Sequence, residues 1–146
     1  MNQKWDRRFL EMAALLASWS KDPSTQCGAL IVSPDKIVRS MGYNGFPKGV
    51  KDTKERLEDR PTKYRYMVHA ELNAIISAGR QAEGCSLYVY PFSPCSDCAK
   101  AIVQAGIIEV VCPVAPSDLR SRWSDSMDAA KCIFEEAEIT FREIQQ

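Results

Sequence analysis

From residue 69 to the end, the chain alternates between helical and extended patterns, and that alternation constrains the fold more than any other feature. HAELNAIISAG (69–79) has helical character and Gly79 as its stop. SLYVYPF (86–92) is rich in aromatic and β-branched residues and reads as a strand. PCSDCAKAIVQAG (94–106) is a helix with proline near its first turn and glycine at its end. IIEVVCPV (107–114) reads as a buried strand, DSMDAAKCIFEEA (125–137) as a helix and ITFREI as a last strand. Right-handed crossovers between these strands make them mostly parallel. Upstream, Trp5, Phe9, Met12, Leu16 and Trp19 recur at steps of four and three, which predicts a helix with one apolar face, read as core. Asp22-Pro23 closes that helix region. In CGALIVSPDKIVRSMGY two apolar runs flank the turn SPDK, the pattern of a β-hairpin. YNGFPKGV is irregular, and the mixed charges of 51–66 suit a solvated loop or short helix. No repeat, linker or low-complexity tract interrupts the chain, so residues 1–146 are expected to form one domain. The sum is an α/β fold: a mixed sheet of about five strands with helices on both faces.

Composition narrows the class of function. Basic and acidic residues balance at 19 each, and the pI is about 6.6. That argues against wrapping nucleic acid through bulk charge but leaves room for a small nucleotide. The start MNQKWDRRFLEM has no apolar signal region, and no apolar run is long enough to span a membrane. The expected setting is a reducing cytoplasm, where cysteines serve as ligands or core residues more often than as disulfides. Cys27, Cys85, Cys112 and Cys132 stand singly among apolar or small residues and read as small core hydrophobes.

Cys95 and Cys98 differ from these four. They sit three apart at the start of a helix, so both can face one side, near the helix's partial positive charge. Both conditions favour thiolate, the form that binds metal. His69, the only histidine, opens the other helix. His, Cys and Cys suit tetrahedral zinc, and with no fourth protein ligand evident a position stays open for water, as in catalytic sites. Glu71 follows His69 by two and is placed to carry protons to and from that water, whose pKa zinc lowers towards about 7. Alone, each element is weak: C-x-x-C can be redox, structural or accidental. The combined string, H-A-E and then P-C-x-x-C on a second helix start, is the signature of zinc nucleobase deaminases.

At these residues the chain resembles the cytidine deaminase superfamily and, within it, the deoxycytidylate (dCMP) deaminases. SKDPSTQCGALIV (20–32), GYNGFPKGV (42–50), HAELNAI (69–75) and PCSDCAKAIVQAGI (94–107) carry the likeness, which runs from about residue 5 to 112. H-A-E and P-C-x-x-C mark the superfamily, while the N-G-x-P-x-G loop points to the dCMP branch. The resemblance implies a three-layer α/β/α sandwich with strand order 2-1-3-4-5 and hydrolysis of dCMP to dUMP and ammonia. It implies that His69, Cys95 and Cys98 hold Zn2+, that Glu71 shuttles protons, and that Asn44 hydrogen-bonds the sugar and base region. Backbone N–H groups around Ala70 and Cys95 would position the base and the attacking oxygen. It further implies a homo-oligomer, often a hexamer, activated by dCTP with Mg2+ and inhibited by dTTP. The effector would sit near Asn44 to Gly49, with Gly45, Lys48 and Asp52 beside it.

The segment VAPSDLRSRWSDSMDAA departs from the dCMP deaminase pattern. It is expected to be a loop at the pocket mouth. Arg120 or Arg122 would grip a 5′-phosphate and Trp123 would offer a stacking face; the alternative is a surface loop whose Trp packs on the core. Three other functions share parts of the pattern. One is a deaminase of CMP, cytidine or a guanine or riboflavin-pathway compound. A nucleic-acid-editing deaminase would need a basic channel that the balanced charge does not supply. A non-catalytic zinc module would leave Glu71 without a purpose.

Overall fold

The computed structural model describes residues 3–146. Its helices and strands, in chain order, are α1 (Gln3–Ala17), β1 (Gly28–Val32), β2 (Val38–Tyr43), α2 (Lys54–Glu58), α3 (Arg60–Tyr66), α4 (Ala70–Ala78), β3 (Ser86–Tyr90), α5 (Ser96–Gln104), β4 (Glu109–Pro113), α6 (Ser117–Glu136) and β5 (Thr140–Ile144). The five strands form one sheet in the order β2-β1-β3-β4-β5. β1 pairs antiparallel with both β2 and β3, whereas β3, β4 and β5 run parallel. The expected three-layer sandwich and strand order are therefore those observed.

Strand alternation divides the core into two layers. Ala29 and Ile31 of β1, Leu87 and Val89 of β3 and Val110 and Cys112 of β4 face α4, α5 and α6. Leu30, Val32, Tyr88 and Val111 face α1, where Phe9, Leu10 and Leu16 meet them. Two glycines set how closely helices approach. A Cβ on Gly42 would run into the backbone of Ala70 and Ala74, and one on Gly28 into that of Ala13 and Ala17. Gly42 thus lets the first turn of α4 lie directly on β2, and the Ser40 hydroxyl pins the helix by donating to the Ala74 carbonyl at 2.7 Å.

Two expectations about elements need correction, and one about a residue: Cys132, read as core, is exposed on α6. The buried face of α1 is Asp6, Phe9, Leu10, Ala13, Leu16 and Ala17. Met12 is 43% exposed, and Trp19 is 52% exposed and lies past the helix end, so neither is core. The stripe sits one step away from the pattern of bulky residues because alanines can face the sheet at close range. The second correction concerns 114–130. It is not a loop: α6 starts at Ser117, directly after Pro116. Its first half is polar because it buries little. Met127, Ala130 and Phe134, all in the second half, supply its buried contacts. The mixed-charge stretch 51–66 forms two short helices, α2 and α3, capped by Thr53 and Asp59.

Candidate active site

The site lies at the C-terminal end of β3. Because β1 runs antiparallel to both its neighbours, Gly28 sits opposite Tyr43 and Tyr90. The residues just outside the sheet here are Cys27, Asn44 and the segment after Tyr90. Two helix starts converge on this edge. His69 is the N-cap of α4, with extended backbone and no side-chain cap bond, so its ring is free for other work. Cys95 is the N-cap of α5, and its Sγ accepts from Cys98 N–H at 3.5 Å. Cys95 therefore stands just outside the first turn that the sequence pattern assigned to it, with Cys98 inside it.

His69 Nδ1 lies 3.4 Å from Cys95 Sγ and 3.3 Å from Cys98 Sγ. The three ligand atoms all fall within 4.8 Å of one another. A tetrahedral ion with N and S arms of about 2.0 and 2.3 Å requires an N–S separation of about 3.5 Å. The donors fit zinc in both kind and spacing. Among the described residues, no other His, Cys or carboxylate joins the three. Cys98 is buried, Cys95 half-buried and His69 exposed, so the cluster runs outward from the sheet edge towards the cavity.

The electrostatics support ligation. A hydrogen bond from the Cys98 thiol, with a further one from His69, holds the Cys95 thiol down to about 4. Its partner Cys98 is pushed up by that same hydrogen bond and by burial. The bond to Cys95 raises His69 to about 9. Cys95 is thus held towards thiolate, and a dication bound by all three would displace the proton of the Cys98 thiol and one from His69. Glu71, only 5% exposed, has its carboxyl raised by burial. A carboxyl whose affinity for protons is raised in this way is suited to take a proton and return it.

A cavity of about 270 Å³ opens beside these groups. His69, Ala70, Glu71 and Cys95 line one part of it; Asn44, Cys27, Thr25 and Asp22 line another. Asn44 is buried and heavily engaged. Its Oδ1 accepts from Cys27 N–H at 2.8 Å, and its Nδ2 donates to the Thr25 carbonyl at 2.9 Å. Arg122 and Trp123 of α6 also line the cavity, with Trp123 edge-on to Tyr64 of α3 at 6.3 Å between ring centres. Arg120 does not line it: its guanidinium is paired with Glu143 of β5 at 2.9 Å. Gly45, Lys48, Gly49 and Asp52 do not line the cavity either, and the Asp52 carboxylate is paired with Lys21 at 2.9 Å.

Sequence reasoning missed several lining residues. Lys63, Tyr64, Phe92, Ser126 and Met127 were not singled out. In the sequence Asp22 signals only the end of a helix region. Lys63 sat in a charged run, where nothing local separates the buried lysine from its exposed neighbours. Ser126 has a local signal only once α6 is known: its Oγ accepts from Ser96 N–H at 2.9 Å and so ties α6 to the start of α5.

The cytidine and deoxycytidylate deaminase zinc-binding region, as a family, matches residues 3–114. The chain belongs to this family. As a member, it is 46% identical over 137 residues to a deaminase of Aliivibrio fischeri from the luxG 3′ region, itself uncharacterized, covering 94% of this chain and 91% of that one. It is 44% identical over 147 residues to the deoxycytidylate deaminase of Homo sapiens, covering 95% of this chain and 79% of the other. The dCMP deaminase of cyanophage S-TIM5, solved in complex with dCMP and dUMP, shares the fold. There the TM-score is 0.77 at 22% identity, covering 99% of both chains.

Proposed function

We propose that this chain is a zinc-dependent dCMP aminohydrolase, which converts dCMP and water to dUMP and ammonia. One observation carries the reading: a His-Cys-Cys cluster with zinc spacing shares a small cavity with a buried carboxyl, Glu71, and an arginine, Arg122. The high identity to deoxycytidylate deaminases supports dCMP as the substrate.

His69, Cys95 and Cys98 would hold the metal. Zinc, when bound, acidifies the attacking water and makes it a nucleophile at neutral pH. Glu71 takes the proton that this water gives up and delivers it to N3 of the cytosine as C4 becomes tetrahedral. It then passes the second proton to the 4-amino group, which leaves as ammonia. Burial serves this role by raising the carboxyl's affinity for protons. Backbone N–H groups at Ala70 and Cys95 orient the base. Asn44 Oδ1 keeps one lone pair beyond its bond to Cys27 and can accept from a sugar hydroxyl. Arg122 makes no ion pair among the described residues, so its fork is available to the 5′-phosphate, and Trp123 and Tyr64 wall the adjoining space.

The proposal extends to assembly and control. The resemblance supports a cytoplasmic homohexamer that binds dCTP with Mg2+, or dTTP, near Gly45, Lys48, Gly49 and Asp52. Such a site would be separate from the cavity. Light scattering tests the assembly, and turnover at low dCMP with each triphosphate tests the control.

The deciding assay is ammonia release by zinc-loaded protein from dCMP, CMP, deoxycytidine, dCTP and cytosine in parallel. A clear preference for dCMP is expected. Turnover of another compound alone, or of none, overturns the proposal.

A further inference from the structure

α3 is a short helix with one buried residue, and that residue is a lysine. Lysine on a surface helix ordinarily keeps its ammonium in water. Lys63 is instead 4% exposed, and its Nζ lies 3.0 Å from Asp22 Oδ1. The Asp22 side chain is equally buried, and the same Oδ1 accepts from Ser24 N–H at 2.8 Å and Thr25 N–H at 3.2 Å. Its other oxygen meets Asn44 Nδ2 at 3.4 Å. Both members of the pair line the catalytic cavity.

A buried ion pair is seldom the most stable filling for such a place, because two charges must leave water. Its position beside the cavity suggests what it does. The charged side chains lining the cavity are Asp22, Lys63, His69, Glu71 and Arg122. Away from the His-Cys-Cys cluster and Glu71, Asp22 is the one carboxylate in that lining. Left uncancelled, it would oppose Arg122 and repel an anionic ligand.

We infer that Lys63 is a positioning residue that acts through Asp22. It cancels the Asp22 charge, keeps the carboxylate as the brace for residues 24–25 and Asn44, and leaves Arg122 as net positive charge. The cavity is thereby matched to a nucleoside monophosphate rather than a neutral nucleoside. This rests on the nucleotide reading above and adds the residue pair that sets the charge preference.

A charge cycle tests it. Binding of dCMP and of deoxycytidine is measured by calorimetry on zinc-loaded protein carrying Glu71→Gln, so that neither ligand is consumed. Lys63→Met is expected to lower the preference for dCMP over deoxycytidine about tenfold, the scale of one partly screened charge near a phosphate. Asp22→Asn keeps the acceptor for Ser24 and Thr25 and is expected to raise the preference by a similar factor. The double variant, with a neutral pair, is expected to return to within about twofold of the parent. If the single Lys63 variant fails to fold, the Asp22→Asn and double variants still carry the test. Equal loss for both ligands in every variant would make the pair structural and overturn the inference. A lost preference that Asp22→Asn does not restore would make Lys63 a direct phosphate ligand and overturn it too. Turnover of dCMP by the unmodified protein is scored separately, so a failure of the substrate reading is distinguishable from a failure of the charge cycle.

Discussion

At the scale of residues, neighbours in sequence do different work because their environments differ. Glu71 and His69 are two apart, yet one is buried and the other exposed at the cavity. Glu71→Gln keeps shape and burial but cannot take a proton. Its turnover should fall by about 10²–10⁴-fold with zinc content unchanged, as read by steady-state kinetics and metal analysis on one preparation. Cys98→Ser should abolish zinc retention instead. Arg120 and Arg122 make a second pair of this kind. Residues two apart on a helix point about 200° apart around its axis, so only one of them can face the cavity. Arg122→Ala should raise KM for dCMP by the loss of about 1.5–3 kcal/mol of charge-assisted hydrogen bonding. Arg120→Ala loses an exposed ion pair with Glu143, and KM should not move. A KM that responds to Arg120 and not to Arg122 would reverse the assignment. The sequence could name both arginines, but choosing between them required knowing that 117–136 is helical.

At the scale of elements, the reacting groups depend on how closely two helices meet the sheet edge. α4 carries His69 at its cap and Glu71 in its first turn, and it rests on β2 where Gly42 leaves room. Gly42→Ala places a methyl against the Ala70 and Ala74 backbone, which cannot yield as a side chain can. Overpacking of this kind costs about 1–3 kcal/mol. Because the strain falls on the turn that bears His69, zinc affinity should fall along with the melting temperature. An unchanged zinc affinity would mean that the helix shifts without moving its first turn. These helices were legible because each announces itself locally: a glycine stop after α4, a proline before α5, and apolar spacing in both. The start of α6 was not legible. Its first half buries little, so it lacks the apolar period by which a helix is recognised.

At the scale of the molecule, α1 and β5 are far apart in sequence but are joined through one ionic cluster. Arg142 of β5 donates to Asp6 at 2.8 and 3.0 Å and to Glu109 at 3.1 Å, and the Tyr88 hydroxyl donates to Asp6 at 2.9 Å. Burial raises the Asp6 carboxyl, but hydrogen bonds from Arg142 and Tyr88 outweigh it, and the net position is below the usual carboxylate value. A depressed folded-state pKa gives stability that is present above the unfolded value of about 3.9 and is lost as pH falls through the folded value. Asp6→Asn should therefore cost about 2 kcal/mol in urea unfolding at pH 7. The gap should close as pH drops below about 4; a gap that persists in acid would place the cost in packing rather than in charge. The sequence by itself determined the elements with strong local grammar: the hairpin, the alternating helices and strands, and the His69, Glu71, Cys95 and Cys98 set at helix starts. Those features depend on spacing along the chain, which needs no knowledge of distant partners. Tertiary structure alone decided which charges are buried. Whether Lys63 meets Asp22, Arg120 meets Glu143, or Arg142 meets Asp6 depends on where separate elements come to rest. A charged side chain carries no local mark of the partner that lets it leave water.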